Sequence, residues 1–170
     1  MNIETARLIL RSPRLADAHV LFEFLGDANA MRHTHADSSL RECRRRVAAH
    51  ERQRRRNGCA PWTVIAKTSG RIIGWGGLYD DPFDPGWGVE VGYFFHPVAW
   101  GQGYATELMA ACTSLADREL RLPEVRAFVR RENVASLRIL EQAGFDVVRF
   151  VPEMERFLYR RGRHGNRATE

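Results

Sequence analysis

The stretch VEVGYFFHPVAWGQGYATE, Val89 to Glu107, decides how the chain is read. From Val89 to Phe95 it is apolar apart from Glu90, the pattern of a strand covered on both faces inside a sheet. Pro97 closes the strand, and a helix opens near Gly101. Between them, Gly101 and Gly103, with Ala105 behind, leave one backbone edge without side chains over a whole helical turn. The first turn of a helix carries unpaired N–H donors and the positive end of the macrodipole, so a bare turn there suits an anion, typically phosphate. Glycine and alanine would equally let helix and sheet pack tightly. Spacing alone leaves both readings open.

Working outward, RLILRSP (Arg7–Pro13) reads as a first strand, and LADAHVLFEFLGD carries a helical stripe at Leu21, Phe24 and Leu25. A polar connection leads to RECRRRVAAHERQRRR, Arg41 to Arg56, a helix stopped by Asn57 and Gly58. PWTVIAK and RIIGWGGLY flank the turn-former TSG as a hairpin, and DDPFDPG is a loop before the central strand. After the helix that opens at the glycine turn come the strand EVRAFV, a short helix capped by Asn133 and stopped at Gly144, and a terminal hairpin from FDVVRFV and ERFLYRR. The order β-α-α-β-β-β-α-β-α-β-β predicts an α/β fold: a mixed sheet of six to seven strands flanked by about four helices. It forms one domain over residues 1–162, with a disordered tail over 163–170.

The 170 residues, 44% hydrophobic and 28% charged, suit one soluble globular domain. With neither an apolar run of membrane length nor a signal-peptide core, the expected compartment is the cytoplasm and no membrane partner is expected. Cys43, Cys59 and Cys112 are scattered and odd in number, so neither a disulfide framework nor a thiolate metal site is expected. The net charge of +5 is carried by arginine, with Lys67 the single lysine. The eight arginines from Arg41 to Arg56 read as a solvated amphipathic helix; no aromatic residues interleave to stack bases, and nucleic acid is not expected as a partner.

Three segments resemble one family in order and spacing: ETARLILRSPRLADA, VEVGYFFHPVAWGQGYATE and ENVASLRILEQAGF. Together they resemble the GNAT (GCN5-related) N-acetyltransferases, and within them the branch similar to the RimJ- and RimL-like ribosomal-protein N-terminal acetyltransferases. The resemblance favours the phosphate reading of the glycine turn and implies acetyl-CoA as cosubstrate. It implies two central parallel strands that splay apart, with the pantetheine arm inserted like a missing strand. The backbone of Gly101, Gln102, Gly103, Tyr104, Ala105 and Thr106 would then hold phosphates, Tyr93, Phe94 and Phe95 the arm's amides, and Asn133 would reach it from across the gap. Two departures stand out. Trp100 precedes Gly101 where relatives often carry Gln or Arg nearby, and Leu140 occupies the position of a tyrosine that protonates the leaving thiolate in many members.

That departure leaves Ser136 as the candidate acid, against a plain role as a local backbone cap. Glu90 is the candidate base: a carboxylate among apolar strand residues, sharing a face with Gly92 if the strand alternates, where the missing side chain would leave room for a ligand. Burial would raise its pKa towards neutrality; the alternative is an ion pair with some arginine. His33 and His35 have ligand-like spacing without matched partners, so no metal is expected. Asp80, Asp81 and Asp84 read as solvated turn residues that border the acceptor site in this family, and Cys112 reads as core.

The expected activity is direct transfer of acetyl from acetyl-CoA to a primary amine; the branch resemblance favours a protein or peptide N-terminal amine, with a small-molecule amine such as a polyamine, amino acid or antibiotic as the alternative. A non-catalytic acyl-CoA-binding module is the alternative class, and the chain is expected as a monomer or homodimer.

Overall fold

A computed structural model describes residues 2–163. The expected tail, from residue 164 onward, lies outside the described residues. The strands are β1 (Ile3–Glu4), β2 (Leu8–Arg11), β3 (Trp62–Ala66), β4 (Ile72–Asp80), β5 (Val89–Phe95), β6 (Glu124–Val129), β7 (Asp146–Val151) and β8 (Arg156–Gly162). The helices are α1 (Ala18–Leu25), α2 (Leu40–Asn57), α3 (Tyr104–Arg118) and α4 (Val134–Gln142). One mixed sheet holds all eight strands in the order β1-β2-β3-β4-β5-β6-β8-β7. This exceeds the expected six to seven by one. The extra strand is the two-residue β1, which pairs Ile3 with Leu10 and Glu4 with Ile9 and is too short for any periodicity to reveal.

Two cores cover the two faces. On one, Leu108, Met109, Cys112 and Leu115 of α3 and Leu140 of α4 pack on Val64, Val91, Phe95 and Ala127. On the other, Leu21, Phe24 and Leu25 of α1 and Cys43 and Val47 of α2 pack on Trp75 and Phe94. α2 keeps its arginine-rich side exposed, opens on the Ser39 hydroxyl and closes at Gly58 with φ +81°. Arg11 and Asp17 tie β2 to the turn before α1: the guanidinium nitrogens lie 2.6 and 2.8 Å from the carboxylate, which also accepts from the Arg14 amide and the Thr63 hydroxyl.

Pairing is continuous from Val89 to Phe95 against β4, so β5 alternates without a bulge. The irregularity sits one strand away, where β3 pairs Val64 with Gly74 and then Ile65 with Ile72, leaving Ile73 as an extra residue in β4. Beyond it Trp75 and Tyr79 face α2, while Gly74 and Gly76 lie under Phe95 and Tyr93; a Cβ on either glycine would come within 2.7 Å of those residues. β5 and β6 run parallel and meet at a single register point, Glu90 opposite Arg126. Past that point they diverge.

Candidate active site

The divergence opens a cleft of about 1000 Å³ lined by β5, the first turn of α3, the end of β6 and the start of α4. Ladder geometry decides which backbone groups face it. The His96 amide donates to the Ile73 carbonyl at 2.9 Å, so even-numbered residues of β5 turn towards β4, and Tyr93 and Phe95 turn their N–H groups to the gap. The Trp100 indole N–H reaches the Phe95 carbonyl at 3.0 Å from that side. Phe94 thus departs from the expectation that it shares the backbone role: its amide faces β4 and its ring stacks on Trp75.

At the glycine turn, Gly101 and Gly103 have φ of +69° and +78°, the left-handed region that side chains resist. A Cβ on Gly101 would meet nothing within 4 Å, so tight packing does not explain this glycine. Gly103 caps α3, leaving the first-turn amides of Tyr104, Ala105 and Thr106 without helical partners. The Gln102 side chain turns away and donates to the Val98 carbonyl at 2.8 Å, so only its backbone remains for a ligand.

Glu90 lies on the α2 side of the cleft, 6% exposed. Among the described residues no arginine, lysine or histidine forms an ion pair with it; Arg126 opposite is held by Glu124 at 2.6 Å and by the Trp87 carbonyl. Burial, with Asp81 and Asp84 adding repulsion, pushes its pKa up to about 8, against the opposing pull of Arg156. The space beside Gly92 differs from the expectation: Tyr79 fills it, its hydroxyl 2.6 Å from where a Cβ would stand.

Across the sheet, Tyr93 turns its ring to the α3 and α4 side. Asn133 caps α4, its Oδ1 accepting from the Ser136 amide at 3.3 Å, which leaves its amide nitrogen for a ligand. The cap of α4 is therefore Asn133 and not the Ser136 hydroxyl. Leu140, one turn further on, is buried on the same wall.

The sequence profile of the Acetyltransferase (GNAT) domain matches residues 7–146. The chain belongs to the GNAT acetyltransferase family. The Bacillus subtilis protein YkkB, itself uncharacterized, is 28% identical over 144 residues, 84% of each chain. An acetyltransferase structure from Agrobacterium tumefaciens superposes with a TM-score of 0.82 at 22% identity, covering 96% of this chain and 95% of that one. RimL, a ribosomal L7/L12 alpha-N-protein acetyltransferase solved with coenzyme A, gives 0.77 at 18% identity, covering 96% and 98%. At such identities the two structures speak for the fold.

The acetyltransferase cleft extends past Glu90 into a lobe between α2 and the loops, lined by His50, Trp75, Tyr79, Phe83, Arg46 and Arg156. His50 packs edge-on against Trp75 and Tyr79 with ring centroids 5.1 Å apart, and burial followed by Arg46 lowers its pKa to about 4, so the ring is neutral at pH 7. The Arg156 guanidinium reaches across the lobe to the Thr34 hydroxyl at 3.2 Å. Arg46 belongs to the arginine run the sequence displays, whereas Arg156 meets Thr34 across 122 positions and leaves no local pattern. Arg7 was missed for the same reason: it lies 2.7 Å from Glu107 and 2.8 Å from the Gln102 carbonyl, bracing the glycine turn.

Of the remaining candidates, Asp81 and Asp84 line the lobe, while Asp80 accepts from Asn57 at 3.0 Å. His35 lies near Asp37 and Glu42, whose ligand atoms and its own fall within 4.8 Å of one another. Asp37 is already held by Arg46, and Glu42 by Ser38. His33 stands outside that group, and Cys112 is fully buried. Among the described residues no helix is long and apolar enough to cross a membrane.

Proposed function

We propose that this acetyltransferase moves acetyl from acetyl-CoA directly to the α-amine of a peptide or protein N-terminus within a ternary complex. The observation that carries the acceptor class is Glu90: buried, without an ion-pair partner among the described residues, and with its pKa pushed up to about 8 by burial. An α-ammonium group titrates at about 7.7–8.0 and a lysine near 10.4, so proton transfer from the former to Glu90 is close to balanced. Asp81 and Asp84 draw a cation into the lobe, and Arg46 and Arg156 offer donors to the carbonyl groups a peptide presents beside its amine.

The cofactor end fits acetyl-CoA on the same footing. The bare turn from Gly101 to Thr106 offers amide donors to the phosphates, Tyr93 and Phe95 offer strand amides to the arm, and the Asn133 amide faces them across the gap. Those strand N–H groups also suit the thioester carbonyl as charge develops on it. Glu90 takes the proton from the amine, and Ser136 or water supplies one to the departing sulfur. The three free, buried thiols accord with the cytoplasm, where we place the protein.

Thiol release from acetyl-CoA tests the acceptor. Short peptides beginning with Ser or Ala are expected to show higher kcat/KM than spermidine, with an advantage that shrinks as salt rises. If spermidine or an aminoglycoside wins by about tenfold, 1.4 kcal/mol, the acceptor is a small-molecule amine instead.

A further inference from the structure

On the Tyr93 side of the cleft stands a buried hydroxyl that nothing in the fold uses. The Tyr93 hydroxyl makes no hydrogen bond among the described residues, although buried hydroxyls in proteins are overwhelmingly bonded. Its position is enforced. A Cβ on Gly76 across the strand would lie 2.6 Å from the Tyr93 Cβ, so only glycine there lets the side chain take its place. The Phe95 ring packs alongside with centroids 6.3 Å apart, and the pair belongs to the core against α3 and α4.

Ser136 is the polar neighbour of that hydroxyl. Burial raises the Tyr93 pKa to about 12, and Ser136 is the group that pulls it back. The two hydroxyls are neighbours without a hydrogen bond of ordinary geometry between them, and both line the cleft. Asn133 supplies the cap of α4, so the Ser136 hydroxyl is free of that duty. The other cleft phenols are placed elsewhere: Tyr79 on the Glu90 side, and Tyr104 beneath the Arg7 guanidinium at 4.7 Å. Leu140 offers no donor on this wall.

We propose that Tyr93 and Ser136 form a two-hydroxyl relay that protonates the leaving sulfur, Ser136 at the sulfur and Tyr93 acting through it. The inference rests on acetyl-CoA occupying the cleft, but not on which amine accepts. In this step the amine nitrogen forms the C–N bond and the thioester C–S bond breaks, the sulfur leaving with the bonding pair. Ser136 gives its proton to sulfur and takes that of Tyr93; Glu90 passes the proton shed by nitrogen to solvent, and Tyr93 regains one through Ser136 once product leaves and solvent enters the cleft. Strand alternation places base and relay on opposite faces of β5, so the nitrogen and sulfur of one acyl carbon are served from opposite sides.

The test begins with coenzyme A binding to the unaltered protein by calorimetry; failure to bind overturns the cleft reading and the relay together. The pKa of the bound thiol is then read from thiolate absorbance in the unaltered protein, Tyr93→Phe and Ser136→Ala. Both variants are expected to bind coenzyme A within about threefold of the unaltered protein, to raise the thiol pKa by about one unit, and to lower kcat roughly 10- to 100-fold. The double variant should lose little more than either single one, as members of one relay do. Tyr93→Phe should also keep or raise Tm, since it removes an unpaired buried hydroxyl. The relay is overturned if Tyr93→Phe leaves the thiol pKa within about 0.3 units and kcat within twofold of the unaltered values. It is equally overturned if its kcat falls only together with Tm and coenzyme A affinity, the mark of a packing role.

Discussion

Glu90 and Arg126 stand opposite each other at the point where β5 and β6 meet, yet their side chains do not pair. Arg126 is engaged by Glu124 and the Trp87 carbonyl, so the arginine opposite Glu90 in the ladder is already committed. A buried carboxylic acid follows from that arrangement, and with it a pH dependence that can be measured.

Glu90→Gln should lower kcat at least tenfold while leaving coenzyme A affinity within twofold, and the acid limb of the rate profile near pH 8 should vanish. Stability should move the other way. The folded-state pKa of about 8 lies above the usual 4.5, so between those values the folded protein holds the extra proton and stability falls as pH rises. The variant has no such loss, and its Tm advantage should grow across that window. A Tm difference that stays flat from pH 5 to pH 8, to be scanned by calorimetry at about unit steps, would count against the buried acid.

Gly103→Val places a β-branched residue at φ +78° with its Cβ 3.3 Å from the Arg7 guanidinium. Strain of roughly 1–2 kcal/mol together with a blocked backbone should weaken coenzyme A binding at least tenfold. Gly101→Ala meets open space and suffers the strain alone, so its loss should be smaller. Equal affinities for both variants and the unaltered protein would remove the phosphate role from this turn.

Arg7→Ala removes the brace behind the same turn without touching the cleft wall. The guanidinium holds Glu107 at 2.7 Å and the Gln102 carbonyl at 2.8 Å, and the Thr5 hydroxyl donates to Glu107 at 2.6 Å. Loss of the two guanidinium bonds, both exposed, should cost at most about 1 kcal/mol of stability and raise the coenzyme A Kd about three- to tenfold. Arg7→Lys keeps the charge but not the fork, and should recover only part of either.

Arg161→Met provides the contrast. Its guanidinium, 5% exposed, holds Asp117 of α3 at 2.9 and 2.7 Å and the Ala143 carbonyl at 3.1 Å, tying β8 to α3 and to the end of α4 far from the turn. A loss of about 3 kcal/mol is expected by denaturant titration, with coenzyme A affinity per folded molecule unchanged.

The parts of the molecule that declare themselves in sequence are those built from neighbours. The strand, turn and helix from Val89 to Glu107 could be read because apolar alternation, proline and glycine act locally. Asn133 as cap and Cys112 as core were legible for the same reason. What escaped depends on distant residues. Tyr79 covers Gly92 through the β4–β5 register, Arg126 opposite Glu90 is held by Glu124 instead, and Arg7 meets Glu107 across 100 positions. The family resemblance groups Phe94 with Tyr93 and Phe95, and ladder alternation separates it from them.

The single meeting point of β5 and β6 reaches beyond catalysis. β6, β8 and β7 form a ladder of their own, joined to the strands before them by one backbone rung, by the shared core under α3, and by side-chain bonds such as Arg126 to the Trp87 carbonyl and Arg156 to Thr34. Such a segment can open without the remainder unfolding, and whatever bridges the strands beyond that rung holds it shut. Amide exchange in β6 and β8 should therefore slow with added coenzyme A more than exchange in β3 and β4. By the same linkage, protein incubated with coenzyme A should survive added protease longer than protein without it.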